Sequence, residues 1–318
     1  MTRRFEAQRT PTIYFVGVTT SKSSIMKVFP RWADRLGLEA QIVGVDFALH
    51  DQPEAYRSVV EHIRSDSLSM GALVTTHKLD LLDACRDLFD ELGPYATRLH
   101  EISGISKRGA LLVGEAFDPL TSGLALDAFF PASTWEQGAG EVLLLGAGGS
   151  SLALTVNLLE RADRGRPAPR RIIVSNRSPG RLEEMRRIHA TFGTNLEIRY
   201  ELAPAPEDND RLLAAMPPRS LIINATGLGK DRPGSPISNE ALFPEGSWAW
   251  DFNYRGDLLF LAQARGQSAR RQIHVEDGWV YFLHGWTRVI SAVFHIQIPT
   301  QGPAFDALSS AAREVRNG

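Results

Sequence analysis

The segment Val142-Leu-Leu-Leu-Gly146-Ala-Gly148-Gly149-Ser-Ser151 decides the fold of this chain. It is a short apolar run that ends in a glycine turn and continues with helical periodicity, which is how the strand–turn–helix unit of a dinucleotide-binding domain begins. Glycines let the backbone turn tightly and approach a pyrophosphate, and the N-terminus of the following helix attracts that anion. A tight strand-to-helix turn without a ligand is the alternative, because glycine-rich turns are common in α/β proteins.

The residues after the next apolar run, 171–174, indicate which dinucleotide is bound. A domain that binds NAD usually places Asp or Glu there to hold the ribose 2′-hydroxyl. This chain has Asn176, Arg177 and Ser178, with Arg181 one helical turn further on. A guanidinium can hold a 2′-phosphate with paired charge-assisted hydrogen bonds, so the pattern predicts a preference for NADP.

The composition is that of an ordinary globular protein. The chain has 318 residues, of which 43% are apolar and 23% charged, and this length allows two domains. The net charge of −2 gives no reason to expect nucleic acid or a membrane as a partner. No apolar run approaches the length of a membrane span and no signal peptide is recognisable, so we expect a cytoplasmic protein. The one cysteine, Cys85, lies in a stretch with helical periodicity, which indicates a buried thiol rather than a nucleophile.

Strands and helices alternate along both halves, which predicts an α/β fold with parallel sheets. In the first half we expect strands at 12–16, 40–47 and 71–75, helices at 24–36, 54–63 and 79–92, a hairpin of 102–107 and 111–114, and a helix at 120–130. In the second half we expect strands at 142–145, 171–174, 196–200, 221–224 and 248–252, and closing helices at 280–294 and 304–316.

Polar residues follow the strands of the first half, where an α/β sheet normally binds its ligands. Together with the predicted NADP unit they resemble the shikimate dehydrogenase family, over roughly residues 12–293. The matching segments occur in the same order as in that family: Ser21-Lys-Ser23, Val-Thr-X-His-Lys ending at Lys78, Val-Gly-X3-Asp ending at Asp118, Gly146-Ala-Gly-Gly, Asn176-Arg-Ser, Asn224-Ala-Thr-Gly-Leu-Gly229 and, more weakly, Asp251-Phe-Asn-Tyr254.

The resemblance implies hydride exchange between NADP and a secondary alcohol on a carboxylated cyclic polyol, in the shikimate pathway of aromatic amino-acid biosynthesis. It implies Lys78 and Asp118 as the catalytic pair. Chemistry agrees, because oxidising a carbinol needs a group that takes the hydroxyl proton, and a carboxylate can orient such a lysine. The alternatives are a solvated lysine at a helix N-terminus and an aspartate that caps a helix.

The same resemblance implies the other site residues. The expected substrate contacts are Ser21, Ser23, Thr75, Ser103, Tyr254 and His284. The expected cofactor contacts are Gly146, Ala147, Gly148, Gly149, Ser150, Asn176, Arg177, Ser178, Arg181, Thr226, Gly227 and Gly278. Polar turns or a helix cap could also explain the serines and Thr226, and an amphipathic aromatic at a strand end could explain Tyr254.

Two of these residues depart from the family pattern. Ser103 stands where the family usually has Asn, and His284 stands where it usually has Gln; in the family both amides read ring hydroxyls. A serine is shorter than Asn, and an imidazole can change charge between pH 5 and 8. We therefore expect ring substituents away from the carboxylate to be read differently, and shikimate itself to be a poor substrate.

The predicted architecture is an N-terminal α/β substrate domain of residues 1–122 and 279–318, a Rossmann-like NADP-binding domain of residues 123–278, and C-terminal helices that return to the first domain. The histidines lack the spacing of metal ligands, so no metal is expected. The expected partner is a small cyclic polyol carboxylate, and the expected state is a monomer or homodimer. A non-catalytic NADPH-binding regulatory or interaction protein is the alternative, against which Lys78 and Asp118 argue, since neither is needed to bind the cofactor.

Overall fold

The computed structural model describes residues 5–230 and 232–317. The chain divides into two compact units, one running to Phe117 and resuming at Gly285, the other running from Asp118 to His284. These limits lie a few residues from the boundaries expected from the sequence. No helix in the described ranges has the length and apolar character needed to cross a bilayer.

The first unit is built on a mixed sheet. Within its described residues the strand order is β2-β1-β3-β5-β6-β4, with β1, β2 and β3 parallel and β5 and β6 forming an antiparallel hairpin. Its strands are β1 (Thr12–Gly17), β2 (Gln41–Asp46), β3 (Ser69–Val74), β4 (Glu91–Leu92), β5 (Gly104–Arg108) and β6 (Leu111–Glu115). Its helices are α1 (Ile25–Leu36), α2 (Pro53–Ser65), α3 (Lys78–Cys85), α4 (Pro94–Leu99) and α12 (Pro303–Asn317). One core cluster joins the buried faces of β1, β2 and β3 to α2 and α3.

The helix expected over residues 79–92 is wrong in its second half. Helix α3 ends at Cys85, a short 3-10 turn follows, and Glu91–Leu92 forms the edge strand β4 against β6. Asp90 explains the change, because its N–H donates to Leu112 O at 3.0 Å and its carboxylate accepts the Leu112 N–H at 2.8 Å. The apolar residues after Cys85 therefore reach the core from a 3-10 turn, the segment after it and the short strand β4. Helix α4 was also not expected.

The second unit contains a parallel sheet whose described strands follow the order β12-β11-β10-β7-β8-β9. This is the order of the doubly wound dinucleotide-binding fold, so the expected α/β class with a Rossmann-like domain is confirmed. Its strands are β7 (Val142–Leu145), β8 (Arg171–Asn176), β9 (Glu197–Leu202), β10 (Leu221–Asn224), β11 (Trp248–Asp251) and β12 (His274–Glu276). Its helices are α5 (Asp118–Asp127), α6 (Ser133–Glu136), α7 (Gly149–Asp163), α8 (Pro179–His189), α9 (Pro206–Ala214) and α10 (Leu259–Arg271), and α11 (Trp279–Phe294) begins in this unit and ends in the first.

The parallel strands of the second unit are apolar on both faces. Leu144 and Val174 belong to one core cluster, and Leu143 and Ile173 belong to a separate cluster. Helices cover both clusters, which is why these strands are continuous apolar runs rather than alternating ones. The carboxyl ends of β7 and β10 are neighbours at the point where the strand order reverses, and ligands of such sheets bind there.

Candidate active site

A cavity of about 370 Å³ lies at the carboxyl ends of the strands β7 to β10. The glycine turn 146–148 lines it on one side, residues 175–178 with Arg181 line it at the end of β8, and residues 225–228 line it after β10. Most of the expected cofactor residues are in this lining. Gly149 and Ser150 lie instead in the first turn of α7, and Gly227 lies beside Thr226 without lining the cavity.

The glycine turn cannot accept a side chain at Gly146. Its φ is 105°, and an added Cβ would lie 2.9 Å from Ala225 O and 3.0 Å from Ala225 C. Both atoms belong to the backbone that follows β10, so the contact cannot be relieved by a side-chain movement. Gly146 thus allows the turn after β7 to lie directly against the turn after β10.

Gly278 does not line the cavity. A Cβ there would lie 2.1 Å from Phe252 O, so close packing against the backbone after β11 explains this glycine. Thr226 also has a structural task, because its hydroxyl donates to Asn224 Oδ1 at 2.7 Å and accepts the Leu228 N–H at 3.2 Å. These contacts fix the backbone of the turn that borders the cavity.

Asn176 connects the glycine turn to the basic segment. Its Oδ1 accepts the Ala147 N–H at 3.3 Å, and its Nδ2 donates to the carbonyl and the hydroxyl of Ser178 at 3.0 and 3.1 Å. Asn176 thereby holds the loop that carries Arg177, whose side chain is exposed. The residue expected as a cofactor ligand is in this structure a bridge between two parts of the cavity wall.

Basic side chains line the cavity from two sides. Arg177 and Arg181 lie after β8, and Arg181 pairs with Glu184 at 2.7 Å. Arg232 lines the cavity from the loop after β10, and the Gly229 N–H donates to its carbonyl at 2.8 Å. Within residues 5–230 and 232–317, neither Arg177 nor Arg232 forms an ion pair. Arg232 could not be found from the sequence, because no spacing pattern relates the loop after β10 to the glycine turn.

In the first unit, Lys78 is the first residue of α3 and a buried hydrogen-bond chain holds the residue before it. His77 Nε2 lies 3.2 Å from Gly17 O, and its Nδ1 lies 3.1 Å from the Tyr56 hydroxyl. That hydroxyl accepts the Asp51 N–H at 3.1 Å, so its own proton is available to Nδ1. Nε2 therefore carries the proton that bonds Gly17 O, and the ring ties the end of β1 to the start of α3.

Glu101 is a residue of this region that sequence reasoning missed. Its Oε1 lies 3.9 Å from Lys78 Nζ, and the two side chains are 5% and 18% exposed. The Ile102 N–H donates to Lys78 O at 3.1 Å, so the segment before β5 runs beside the start of α3. A charged residue directly before an apolar, strand-like run was the only sequence signal for it.

The other expected substrate residues of this unit differ in accessibility. Ser21 is exposed and Ser23 half-buried, and they follow Thr20, whose N–H donates to Asp46 Oδ1 at 2.7 Å. Thr75 directly follows β3 and is half-buried. Ser103 is buried, and its Oγ accepts the Phe117 N–H at 2.8 Å. The structure therefore places Ser103 in the support of the backbone.

Three expected residues lie in the second unit. Asp118 is the half-buried first residue of α5. The Tyr254 ring packs against Trp279 and Phe282, with centroids 5.5 and 4.8 Å apart. His284 is buried, and burial lowers its pKa to about 4. The expectation that this imidazole changes charge between pH 5 and 8 is therefore wrong, because the ring stays neutral throughout that range.

Cys85 is fully buried, and burial raises the pKa of its thiol to about 12. Since the thiolate is the nucleophilic form, Cys85 is not a nucleophile near neutral pH.

Curated proteins that match this chain in sequence carry the same name. The chain is 28% identical over 260 residues to the shikimate dehydrogenase (NADP(+)) of Methylocella silvestris, covering 80% of this chain and 82% of that protein. It is 35% identical over 164 residues to that of Rhodopseudomonas palustris, covering 50% of this chain and 49% of that one. The chain is similar in sequence to these shikimate dehydrogenases. No protein-family model matches it.

Solved structures share the fold. The shikimate 5-dehydrogenase of Thermus thermophilus in complex with NADP(H) and shikimate matches with a TM-score of 0.70 at 22% identity, over 96% of this chain and 99% of that one. The 5-ketofructose reductase of a Gluconobacter species matches with a TM-score of 0.68 at 14% identity, over 96% and 99%. Since both enzymes have this architecture, the fold alone does not choose between their substrates.

Proposed function

We propose that this protein is an NADP-dependent oxidoreductase that interconverts a secondary alcohol and a ketone on a shikimate-like carboxylated cyclic polyol. The observation that carries the proposal is the cavity at the switch point of the parallel sheet. A glycine turn lines it, and Arg177, Arg181 and Arg232 surround it with positive charge. A guanidinium suits a 2′-phosphate better than a 2′-hydroxyl, because it forms charge-assisted, paired hydrogen bonds with phosphate oxygens. The names of the sequence relatives support the same cofactor.

We assign cofactor binding to the second unit and substrate binding chiefly to the first. The residues that line the cavity, among them Arg177 and Arg232, would hold NADP, which would supply the hydride acceptor for oxidation of the carbinol and, as NADPH, the hydride donor for reduction of the ketone. Lys78 takes the hydroxyl proton in oxidation and supplies it in reduction, and Asp118 is its proposed partner in proton transfer. Ser21 and Ser23 bind the substrate carboxylate in this proposal, and Tyr254 contacts the substrate.

The two departures from the family pattern, Ser103 and His284, restrict which cyclic polyol we propose as the substrate. Ser103 Oγ already accepts a backbone N–H and has a single proton to donate, and a neutral His284 ring has one donor and one acceptor nitrogen on a rigid ring, so neither reproduces the NH2 and carbonyl groups of the amide it replaces. We therefore keep the prediction that shikimate is a poorer substrate than a relative altered at ring positions away from the carboxylate. The expectations of a monomer or homodimer, of no nucleic-acid or membrane partner, and of a cytoplasmic location also stay predictions.

The test is steady-state oxidation of shikimate, quinate and amino-substituted analogues with NADP and with NAD. We expect NADP to be clearly preferred. Replacing Arg177 or Arg232 with Ala should weaken NADP binding by about 10- to 100-fold, the range for a lost charged hydrogen bond. Arg187→Ala is the matched control, because Arg187 is an exposed arginine of the same helix as Arg181 and does not line the cavity. Equal use of both cofactors, or no oxidation of any compound in the panel, would refute the proposal.

A further inference from the structure

Glu101 is a buried carboxylate to which the proposed reaction assigns no role. Only 5% of its side chain is exposed. Its one ionic neighbour in the described parts of the chain is Lys78, and the 3.9 Å between Nζ and Oε1 exceeds a hydrogen-bond distance. Within residues 5–230 and 232–317, no N–H or O–H group donates a hydrogen bond to this carboxylate.

Burying such a group has a cost. A carboxylate that loses most of its contact with water without gaining hydrogen-bond donors loses part of its solvation, even beside a cation. The nearby ammonium compensates part of the charge but does not bond to the oxygens at this distance. A donor on a bound ligand would complete the coordination of the carboxylate.

The position of Glu101 makes a substrate the natural source of that donor. The Val74 N–H donates to Ser103 O at 2.9 Å, and the Ile102 N–H donates to Lys78 O at 3.1 Å. Glu101 therefore lies where the end of β3 meets the start of α3, next to the lysine assigned to the reacting carbinol. Ser103 is less suited to read a substituent, because its oxygen already accepts the Phe117 N–H.

We propose that Glu101 is a specificity-determining residue whose carboxylate accepts a hydrogen bond from the substrate hydroxyl next to the reacting carbinol. This rests on the proposed function, since it requires a polyol bound at Lys78. Glu101 is an acceptor only, so a hydroxyl at that ring position is favoured, whereas a carbonyl or carboxylate there is rejected because acceptor would face acceptor.

The test combines changes in the residue with changes in the substrate. Wild-type protein and Glu101→Gln are assayed on the best polyol found and on its analogue lacking the hydroxyl next to the carbinol. Glutamine keeps the shape and one acceptor oxygen but removes the charge, so kcat/KM for the polyol should fall about 10-fold. The deoxy analogue should be a poor substrate of the wild-type protein, and the substitution should change its turnover little.

Glu115→Gln is the matched control, because Glu115 is a partly buried carboxylate on β6 of the same unit that has no part in the proposed site. It should leave the selectivity between the two substrates unchanged. Glu101→Asp keeps the charge on a shorter side chain and should retain part of the selectivity.

Equal loss on both substrates in Glu101→Gln would show a purely structural role and overturn this proposal while leaving the oxidoreductase intact. Equal turnover of both substrates by the wild-type protein would overturn it without any variant. If the wild-type protein oxidises no polyol, the proposed function fails, and thermal-shift titration with the polyols of the panel and their analogues lacking one hydroxyl then decides on Glu101. Binding that needs both the hydroxyl and the Glu101 carboxylate supports its role, and binding indifferent to either refutes it.

Discussion

Acid should destabilise the second unit through one buried histidine, His189, at the end of α8. Its ring is 6% exposed, with Nε2 2.7 Å from Thr155 Oγ1 and Nδ1 2.7 Å from Tyr200 Oη. The Thr155 hydroxyl donates its own proton to Ser151 O at 2.9 Å, so it accepts from Nε2–H, and Nδ1 accepts from Tyr200. Burial lowers the pKa of His189 to about 4, so the folded protein holds the ring neutral.

The size of the effect follows from this shift. The unfolded chain takes up the proton near pH 6.5, so between pH 6.5 and 4 it binds more protons than the folded chain, and stability falls as the pH falls. The pKa of His189 is about 4 in the folded chain against 6.5 in the unfolded chain, and this difference of about 2.5, at about 1.36 kcal/mol for each pH unit, amounts to about 3 kcal/mol. Of this, about 2–3 kcal/mol is lost between about pH 7.5 and 4.5.

Urea unfolding of the wild-type protein and of His189→Gln at about pH 7.5 and 4.5 measures this loss of stability. Glutamine does not titrate, so the stability advantage of the wild-type protein over the variant should shrink by about 2–3 kcal/mol at the lower pH. Asp251, whose pKa burial raises to about 6, and His284 titrate in both proteins and cancel in the difference. His50→Gln is the control, because its side chain is 86% exposed. An advantage that is the same at both pH values would refute the reasoning.

Three further outcomes are expected. Lys78→Ala should lower kcat about 10²- to 10⁴-fold with the dissociation constant of NADPH unchanged, since general acid–base help acts on the transition state; near-normal turnover would mean that the proton acceptor is misassigned. Tyr56→Phe should lower the free energy of unfolding by about 1–3 kcal/mol in urea titration, because it leaves buried polar groups without their partner; an unchanged midpoint would show that they find another. His284→Gln should leave the pH profile of kcat/KM unchanged between about pH 6 and 8, because a ring with a pKa of about 4 is already neutral there; a profile that moves would contradict the buried, neutral ring.

The prediction of the fold from sequence succeeded where local pattern and tertiary structure agree. The expected strands 142–145 and 221–224 coincide with β7 and β10, since short apolar runs bounded by turns leave little choice of limits. The expected helix 79–92 failed beyond Cys85, because helical spacing of apolar residues cannot reveal that Asp90 pairs with Leu112, distant in sequence. The short strand β12 was missed for the same reason, since it is defined by pairing with β11.

The candidate site divides in the same way. The glycine turn and the basic residues after β8 could be read from the sequence because their chemistry is local: a turn needs glycine, and a phosphate needs cations within a few residues. The cation Arg232 could not, because the strand order alone brings the loop after β10 to the same cavity. The resemblance assigned Ser103 and His284 to the substrate. In the structure Ser103 accepts a hydrogen bond from the backbone, and burial keeps the His284 ring neutral.

Sequence patterns predict the α/β class, the parallel dinucleotide-binding sheet and the preference expected for NADP, because periodicity, glycines and charge are properties of neighbouring residues. Which charges are buried, and what surrounds them, follows from the folded arrangement of the chain. Glu101 is one acidic residue among many in the sequence, and it became a candidate specificity residue because folding leaves its side chain only 5% exposed beside Lys78, without a hydrogen-bond donor within the described chain. Solvation and pairing of a charge depend on residues that are distant in sequence, so no local pattern records them.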